Sequence, residues 1–172
     1  MTMRGRVERI LVLGDHESVV LLSDERGKRV VRRQAVENQR AALSTERYIH
    51  SELARRPSPL LLLRPTNEGG PFTVVLASVP LSRTTISFAD VPSGARRRFR
   101  QTVLDALAAV HRAGLALGLL TPDHVLVDPR QAACWFVEDG AAWLKPGARP
   151  ADRLAFHALQ NADRRQAARL FA

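Results

Sequence analysis

The sequence contains a single cysteine, Cys134, in a chain of 172 residues. One thiol cannot form an internal disulfide, and it cannot supply the several thiolates of a cysteine-based zinc site. No apolar run reaches the roughly 20 residues that a membrane-spanning helix requires. The basic N-terminus leads into a short apolar run that ends at Gly14, without a small-residue cleavage site, so we expect no signal peptide. These absences together favour a cytoplasmic protein.

Aromatic residues and lysine are also scarce. Aromatic side chains make up only 5% of the chain, so a stacking platform for single-stranded nucleic acid is not expected, and nucleic acid is the less favoured partner. Lys28 and Lys145 are the only lysines, and every other basic residue is an arginine. The net charge is nevertheless +9, which indicates affinity for anionic groups such as phosphate. A coding bias towards arginine and alanine would produce the same numbers, because the arginines are spread along the chain.

One basic cluster is dense, and it consists of Arg96, Arg97, Arg98 and Arg100. It opens a predicted amphipathic helix for which Ser93 is a plausible N-cap, and whose apolar stripe is formed by Phe99, Val103, Leu107 and Val110. Cations at a helix N-terminus oppose the helix dipole, so an anionic partner would relieve this arrangement. We expect this anion-binding cluster to face an acidic protein or an anionic membrane surface. The alternative is a solvated charged turn.

Apolar periodicity and turn residues predict an α+β fold. Three antiparallel strands are expected over residues 6–33, a helix over 34–56, and strands over 60–63 and 72–76. The second half is expected to hold the amphipathic helix, a β-hairpin over 125–127 and 134–137, and a closing helix over 149–171. We assign residues 1–80 to a small sheet lobe with one helix, and 81–172 to a reduced, mainly helical lobe of the same domain.

The most specific stretch runs from residue 109 to 140 and reads AVHRAGLALGLLTPDHVLVDPRQAACWFVEDG. A helix ends at Ala113-Gly114, a loop and a hairpin follow, and the run closes on acidic residues before Gly140. This layout resembles the catalytic loop and metal loop of the protein-kinase-like superfamily. The chain is most similar to the compact bacterial lipopolysaccharide kinases, which act on core heptose or on 3-deoxy-D-manno-octulosonic acid. The resemblance spans about residues 6 to 165.

When the chain is aligned with these kinases, most of the positions that carry catalytic residues in the family hold other residue types. Leu117 replaces the loop histidine, and Leu119 replaces the acid that accepts the proton of the substrate hydroxyl. His124 replaces an asparagine that holds Mg²⁺, although Mg²⁺ prefers oxygen ligands. Glu138 replaces the metal-loop aspartate, and Asp139 serves if the register shifts by one residue. The resemblance therefore implies Glu138, Asp139 and His124 as the remaining metal ligands.

The resemblance also implies a nucleotide site in the small lobe. The turn that would cover the phosphates retains only Gly14. Strand alternation turns one of Arg32 and Arg33 inward, and Arg33 matches the phosphate-binding lysine when Val31 takes the small-residue position. Glu46 matches the helix glutamate that pairs with this lysine.

The adenine would contact the backbone of a hinge, and the resemblance places Ser78 and Val79 there. Together with Arg33 and Glu46, these residues complete the nucleotide-binding set.

We expect a pseudokinase, a kinase-like protein that lacks the catalytic residues and acts as a binding or regulatory module. Two alternatives stay open. The first is an active atypical kinase for a lipopolysaccharide sugar or another small molecule, with ATP and Mg²⁺ as cofactors and Asp123, Asp128 or Asp139 as the acid. The second is a basic anion-binding protein. The expected location is cytoplasmic, with peripheral association at the inner membrane as an extension of it.

Overall fold

The structure is a computed structural model, and it describes residues 5–38, 59–61, 63–137, 143–144 and 150–172. The strands of the first half are β1 (Arg6–Leu13), β2 (Glu17–Asp24), β3 (Gly27–Ala35), β4 (Leu60–Leu61), β5 (Arg64–Pro65) and β6 (Thr73–Ala77). Five of them form an antiparallel sheet in the order β1-β2-β3-β6-β5. The three strands predicted over residues 6–33 are confirmed.

The turn between β2 and β3 depends on a glycine. Gly27 has a φ of 135°, and a Cβ at this position would lie 2.5 Å from the carbonyl oxygen of Leu81. Lys28 and Leu81 exchange backbone hydrogen bonds, with N···O distances of 3.2 and 2.6 Å. The segment that leaves β6 is therefore held against the beginning of β3.

The described strands of the second half are β7 (Ile86–Ser87), β8 (Leu115–Ala116), β9 (Val125–Asp128), β10 (Ala133–Val137) and β11 (Trp143–Leu144). Three of them, β7, β9 and β10, belong to a second sheet. The sheet order is β4-β10-β9-β7, with β4 parallel to β10, while β8 pairs with β11 alone. The predicted hairpin over 125–127 and 134–137 is confirmed as β9 and β10. Residues 1–80 contribute strands to both sheets, because β4 belongs to the second one.

Three helices lie in the described part of the second half: α1 (Ser93–Arg96), α2 (Arg100–Arg112) and α3 (Pro150–Arg169), with a 3₁₀ turn (Arg97–Phe99) between the first two. The predicted apolar stripe of α2 is confirmed, since Phe99, Val103, Leu107 and Val110 are all buried. The predicted cap is wrong by one residue. Pro92 occupies the N-cap position, and no side chain caps the first turn.

The chain is thus an α+β protein, and two buried cores organise it. One core joins the helices to one face of the second sheet and includes Phe88, Phe99, Val103 and Leu170. The other lies between the two sheets and includes Val19 and Val30 from the first sheet and Leu126 from the second. No helix in the described ranges is long and apolar enough to cross a membrane.

The helix predicted over residues 34–56 is only partly tested. Gln34 and Ala35 end β3 instead of starting a helix, and a 3₁₀ turn (Val36–Asn38) follows them. The rest of the predicted helix, including Glu46, lies outside the described residues.

Candidate functional site

The loop that follows α2 is shaped by two glycines. Gly114 and Gly118 have φ values of 84° and 76°, a region that residues with a Cβ rarely adopt. Gly114 ends α2 in the manner of a helix C-cap, and its N–H donates to the carbonyl oxygen of His111 at 3.0 Å. The short strand β8 lies between the two glycines. The chain therefore turns twice within a few residues.

Asp163 of α3 is hydrogen-bonded to the backbone of this loop. Its side chain is fully buried, and its carboxylate accepts hydrogen bonds from the N–H groups of Leu117 and Gly118 at 2.9 and 3.0 Å. The Nε2 atom of His111 lies 2.9 Å from the same carboxylate. One carboxylate thus satisfies two backbone donors of the loop and also contacts the end of α2.

Two glutamines of α3 extend this support. The Oε1 atom of Gln166 accepts a hydrogen bond from the N–H of Leu120 at 2.6 Å. The Nε2 atom of Gln160 lies 3.3 Å from the carbonyl oxygen of Leu115. The loop is therefore fixed by polar side chains of one helix along residues 115–120.

Gln166 belongs to the face of α3 that the sequence predicts as buried, whereas Asp163 and Gln160 were not predicted there. The spacing in this helix predicts a stripe of Leu154, Ala158, Leu159, Ala162, Gln166 and Leu170, yet Leu154 and Ala158 are exposed. The buried face consists of Phe156, Gln160, Asp163, Ala167 and Leu170. The available signal was polar residues at helical spacing on a face that also carries apolar residues.

The two leucines at the degenerate catalytic positions lie in different surroundings. Leu117 is buried, whereas 44% of the Leu119 surface is exposed. Leu119 therefore presents an apolar side chain to solvent at the position where the resemblance expects a carboxylate.

Asp123, proposed above as a fallback acid, is engaged by an arginine from the first sheet. The Nε and Nη2 atoms of Arg9 lie 2.9 and 2.8 Å from Oδ1 of Asp123. Arg9 also pairs with Asp90. Partial burial alone would lower the pKa of Arg9, but the two carboxylates raise it above its usual value. This ion pair links β1 to the loop before β9.

Asp128, the other described fallback acid, closes the turn between β9 and β10. Its side chain is fully buried, and Oδ1 accepts hydrogen bonds from the Thr84 hydroxyl at 2.8 Å and the Arg130 N–H at 2.8 Å. Burial would raise the pKa of Asp128, but the hydrogen bonds from Thr84, Arg130, Ser82 and Gln131 together hold it below its usual value. This environment is typical of a structural aspartate that stays ionised.

Of the three predicted metal ligands, the structure describes His124 alone. His124 is buried, and its Nδ1 atom lies 2.8 Å from the hydroxyl oxygen of Thr121. Glu138 and Asp139 lie outside the described residues. Among the residues that the structure describes, no group of three histidine, cysteine, aspartate or glutamate side chains is placed to hold a metal ion.

On β3, the structure places Arg32 inward and Arg33 outward. Arg32 is 1% exposed and pairs with Val19 of β2, while Arg33 is exposed and pairs with Ser18. This corrects our assignment of Arg33 to the inward position. Sequence spacing alone could not decide between the two arginines, because the choice of Val31 or Val30 as the small residue shifts the register by one. Whether either arginine contacts a nucleotide stays a prediction.

Of the two predicted hinge residues, Ser78 is hydrogen-bonded to β3. Ser78 is buried, its N–H donates to the carbonyl oxygen of Val30 at 3.0 Å, and its hydroxyl oxygen accepts a hydrogen bond from the Val30 N–H at 3.0 Å. The Ser78 hydroxyl lies 3.1 Å from the carbonyl oxygen of Val79, whose side chain is exposed. The backbone N–H of Ser78 is therefore already used within the first sheet.

A cavity of about 330 Å³ lies at the end of the first sheet where β1 turns into β2. It is lined by the turn between β1 and β2, by the end of β3, and by Thr73 of β6. Gly14 and Arg33 both line it, so two of the predicted phosphate-contacting features do meet. Among the described residues of the segment over 109–137, none lines this cavity, so the described catalytic positions lie apart from Gly14 and Arg33.

The four arginines of the cluster differ in their contacts and exposure. The Nε atom of Arg96 donates to the carbonyl oxygen of Val91 at 3.1 Å, and its guanidinium lies 5.4 Å from the ring centre of Phe88. Arg98 stacks over Phe99 at 4.7 Å. Arg97, Arg98 and Arg100 are exposed. The cluster is therefore a surface feature anchored on two buried phenylalanines.

No protein-family model matches this chain, and no curated protein matches it. The geometry of the described residues thus stands as the basis for a functional proposal.

Proposed function

We propose that this protein is a kinase-like binding module that does not transfer phosphate. The supporting topology is an antiparallel sheet, a connecting segment tied to β3, a helix, a glycine-shaped loop and a β-hairpin. These elements follow one another in the order that the resemblance requires. The loop is also held by buried polar contacts, which indicates that its conformation is specified and not accidental.

The observation that carries the proposal is the packing between the two sheets. If the chain is kinase-like, a nucleotide would lie between the first sheet and the loop with its hairpin. Val19 and Val30 of the first sheet and Leu126 of the second are each 0% exposed and belong to one core. Close-packed apolar side chains leave no room for an adenine ring unless the sheets separate. Separation would expose these side chains to water, which is unfavourable.

The loop chemistry supports the same proposal. A leucine at position 119 can neither accept a proton nor orient a hydroxyl group. Asp123 is engaged by Arg9, and Asp128 is engaged by the turn of the hairpin. Oδ1 of each carboxylate is engaged in these contacts, and Oδ2 of Asp128, which has no hydrogen-bond partner among the described residues, is buried away from solvent. Neither environment is typical of a general base for a substrate hydroxyl.

The test is a phosphotransfer assay with labelled ATP, Mg²⁺ or Mn²⁺, and both peptide and glycolipid acceptors. We expect no turnover above background, and no rise of the melting midpoint with ATP, ADP or GTP. Turnover that disappears in Asp139→Ala and persists in the exposed control Asp105→Ala would overturn the proposal and support an active atypical kinase. A nucleotide-dependent rise of the midpoint without turnover would leave the non-catalytic proposal in place but contradict the closed interface.

A further inference from the structure

Four exposed arginines of α3 are not used by the proposed function. Arg153, Arg164, Arg165 and Arg169 are exposed along a helix of 20 residues, which is about 30 Å long. Arg164 donates to the side-chain oxygen of Asn161, but none of the four arginines forms an ion pair within the described residues. The acidic residues of α3 do not offset them, because Asp163 points inward and only Asp152 is exposed.

The C-terminal end of α3 lies close to the beginning of α2, where the arginine cluster is. The C-terminal end of α3 packs against Phe88, whose ring centre lies 5.5 Å from that of Phe171 and 6.3 Å from that of Phe99. Arg96 covers the same Phe88 ring. Phe88 therefore contacts both helix ends. Arg169 stands two residues before Phe171, and Arg97 and Arg100 flank Phe99 in the sequence, so these arginines lie near the same pair of helix ends.

The charges of this combined surface, which we call the two-helix arginine surface, are poorly compensated. It consists of Arg97, Arg98, Arg100, Arg153, Arg164, Arg165 and Arg169. Arginines at the beginning of α2 oppose its dipole, and those of the cluster that are exposed form no ion pair within the described ranges. A surface of this kind is stabilised when an anionic partner approaches it.

We propose that the two-helix arginine surface docks the protein on an anionic phospholipid bilayer. The inference rests on the proposed function only in treating the protein as a binding module. A bilayer fits because it offers a flat field of phosphate groups, and each arginine near such a surface adds to the attraction without needing a pocket. Arginine also binds phosphate oxygens with two parallel hydrogen bonds.

An exposed apolar side chain lies on the same side of α3 as Arg165. Leu154 is 73% exposed and stands eleven residues, about three helical turns, before Arg165. Arg153 and Arg164 have the same spacing. An apolar side chain among arginines can enter the region between lipid headgroups and acyl chains while the guanidinium groups remain at the phosphates.

The alternatives fit this surface less well. Single-stranded nucleic acid binds through exposed rings, but the phenylalanines under this surface point inward, with Phe99 4% and Phe156 5% exposed. A protein partner usually binds around buried aromatic or aliphatic anchors, and on α3 Leu154 is the single large apolar side chain with high exposure.

The test is co-sedimentation with vesicles of phosphatidylcholine alone or mixed with phosphatidylglycerol, over a salt series. The variant replaces Arg97, Arg100, Arg165 and Arg169 with glutamine. The matched control replaces Arg6, Arg26, Arg64 and Arg130, which are exposed elsewhere, so both proteins lose the same charge. We expect the wild type and the control to bind only the phosphatidylglycerol vesicles, and the variant to bind at least tenfold more weakly. If the fourfold variant does not fold, the double variant Arg165→Gln/Arg169→Gln replaces it.

A second measurement does not depend on charge. A Leu154→Cys variant labelled with an environment-sensitive fluorophore should shift to the blue when phosphatidylglycerol vesicles are added, since Cys134 is buried and remains unlabelled. The inference is overturned if the wild type ignores phosphatidylglycerol vesicles, if the control loses as much binding as the variant, or if duplex DNA or RNA binds more tightly than vesicles at equal salt. Phosphotransfer accompanied by vesicle binding would overturn the proposed function and leave this inference intact.

Discussion

The carboxylate of Asp163 accepts a hydrogen bond from the backbone N–H of Leu117 at 2.9 Å, across 46 residues of sequence. The same carboxylate binds the N–H of Gly118, whose positive φ turns the loop back on itself. Because both donors are removed from water, they need an acceptor inside the protein. The conformation of the loop is therefore set by α3 and not by the loop sequence alone.

Replacing Asp163 should test this dependence directly. Asp163→Ala leaves two backbone donors and the His111 ring without their acceptor, so we expect the free energy of unfolding to fall by about 2–5 kcal/mol. Asp163→Asn retains one acceptor oxygen and should cost less. Urea unfolding measures both changes, with the exposed Asp152→Ala on the same helix as the control, expected to stay within about 0.5 kcal/mol. Equal losses in the alanine and asparagine variants would contradict the hydrogen-bond explanation.

The strands and the stripe of α2 were predictable because they follow local rules. Alternating apolar residues with turn residues between them predicted β1 to β3, and helical spacing predicted the buried face from Phe99 to Val110. Asp163 and Gln160 were not predictable in this way. They are polar residues on a buried face, and their role depends on partners in a loop more than 40 residues away.

The register of β3 leads to a second prediction. Arg32 is 1% exposed, so Arg32→Ala should leave a cavity and lower the free energy of unfolding by about 2–4 kcal/mol, as expected for a large buried side chain. Arg33→Ala removes an exposed side chain from the next position of the same strand and should cost at most about 1 kcal/mol. Chemical denaturation of the two variants side by side provides its own control. A larger loss for Arg33→Ala would place the inward position where the spacing argument first put it.

The sequence predicted which segments of the chain form the candidate site, but not the contacts between them. The loop, the hairpin and their order were identified from the residues between 109 and 140. The contact between Arg9 and Asp123 was not, because the two residues are 114 positions apart and nothing in the sequence around Arg9 pairs it with that loop. The filled space between Val30 and Leu126 likewise arises from packing of two sheets, which no local pattern encodes.

The third prediction concerns how the free energy of unfolding changes at acid pH. The pKa of Asp128 is lowered from 3.8 in the folded chain, so its ionised form stabilises the fold above about pH 4, and this contribution is lost as the pH falls through the lower folded value. Asp128→Asn should therefore lower the free energy of unfolding at pH 7 by roughly 1.5–3 kcal/mol, the worth of a hydrogen bond to a charged group. The difference between wild type and variant should shrink below pH 4.

Thr84→Val serves as the companion variant for Asp128. It removes one hydroxyl donor and leaves the two backbone donors of the turn in place, so the folded pKa of Asp128 should be lowered less. The loss of stability on acidification should then be smaller than in the wild type and complete at a higher pH. Unfolding curves at pH 7, 5 and 3 measure the effect. A difference between wild type and Asp128→Asn that is constant over this range would show that the carboxylate charge plays no part.

Cys134 provides the last prediction, because it is the only thiol of the chain and lies in the core on β10. Burial raises the pKa of the Cys134 thiol to about 12. The thiolate is the reactive form, and an unfolded cysteine has a pKa near 8.5, so labelling of the folded protein at pH 8 should be slower by roughly three orders of magnitude than in urea. A Ser93→Cys variant, exposed at the beginning of α1, is the positive control and should label quickly without urea. In Asp163→Ala the Cys134 rate should rise with the loss of stability, since labelling then requires only a less costly opening of the core. Folded Cys134 reacting as fast as Ser93→Cys would mean that β10 is open to solvent and that the core beneath the helices is not closed.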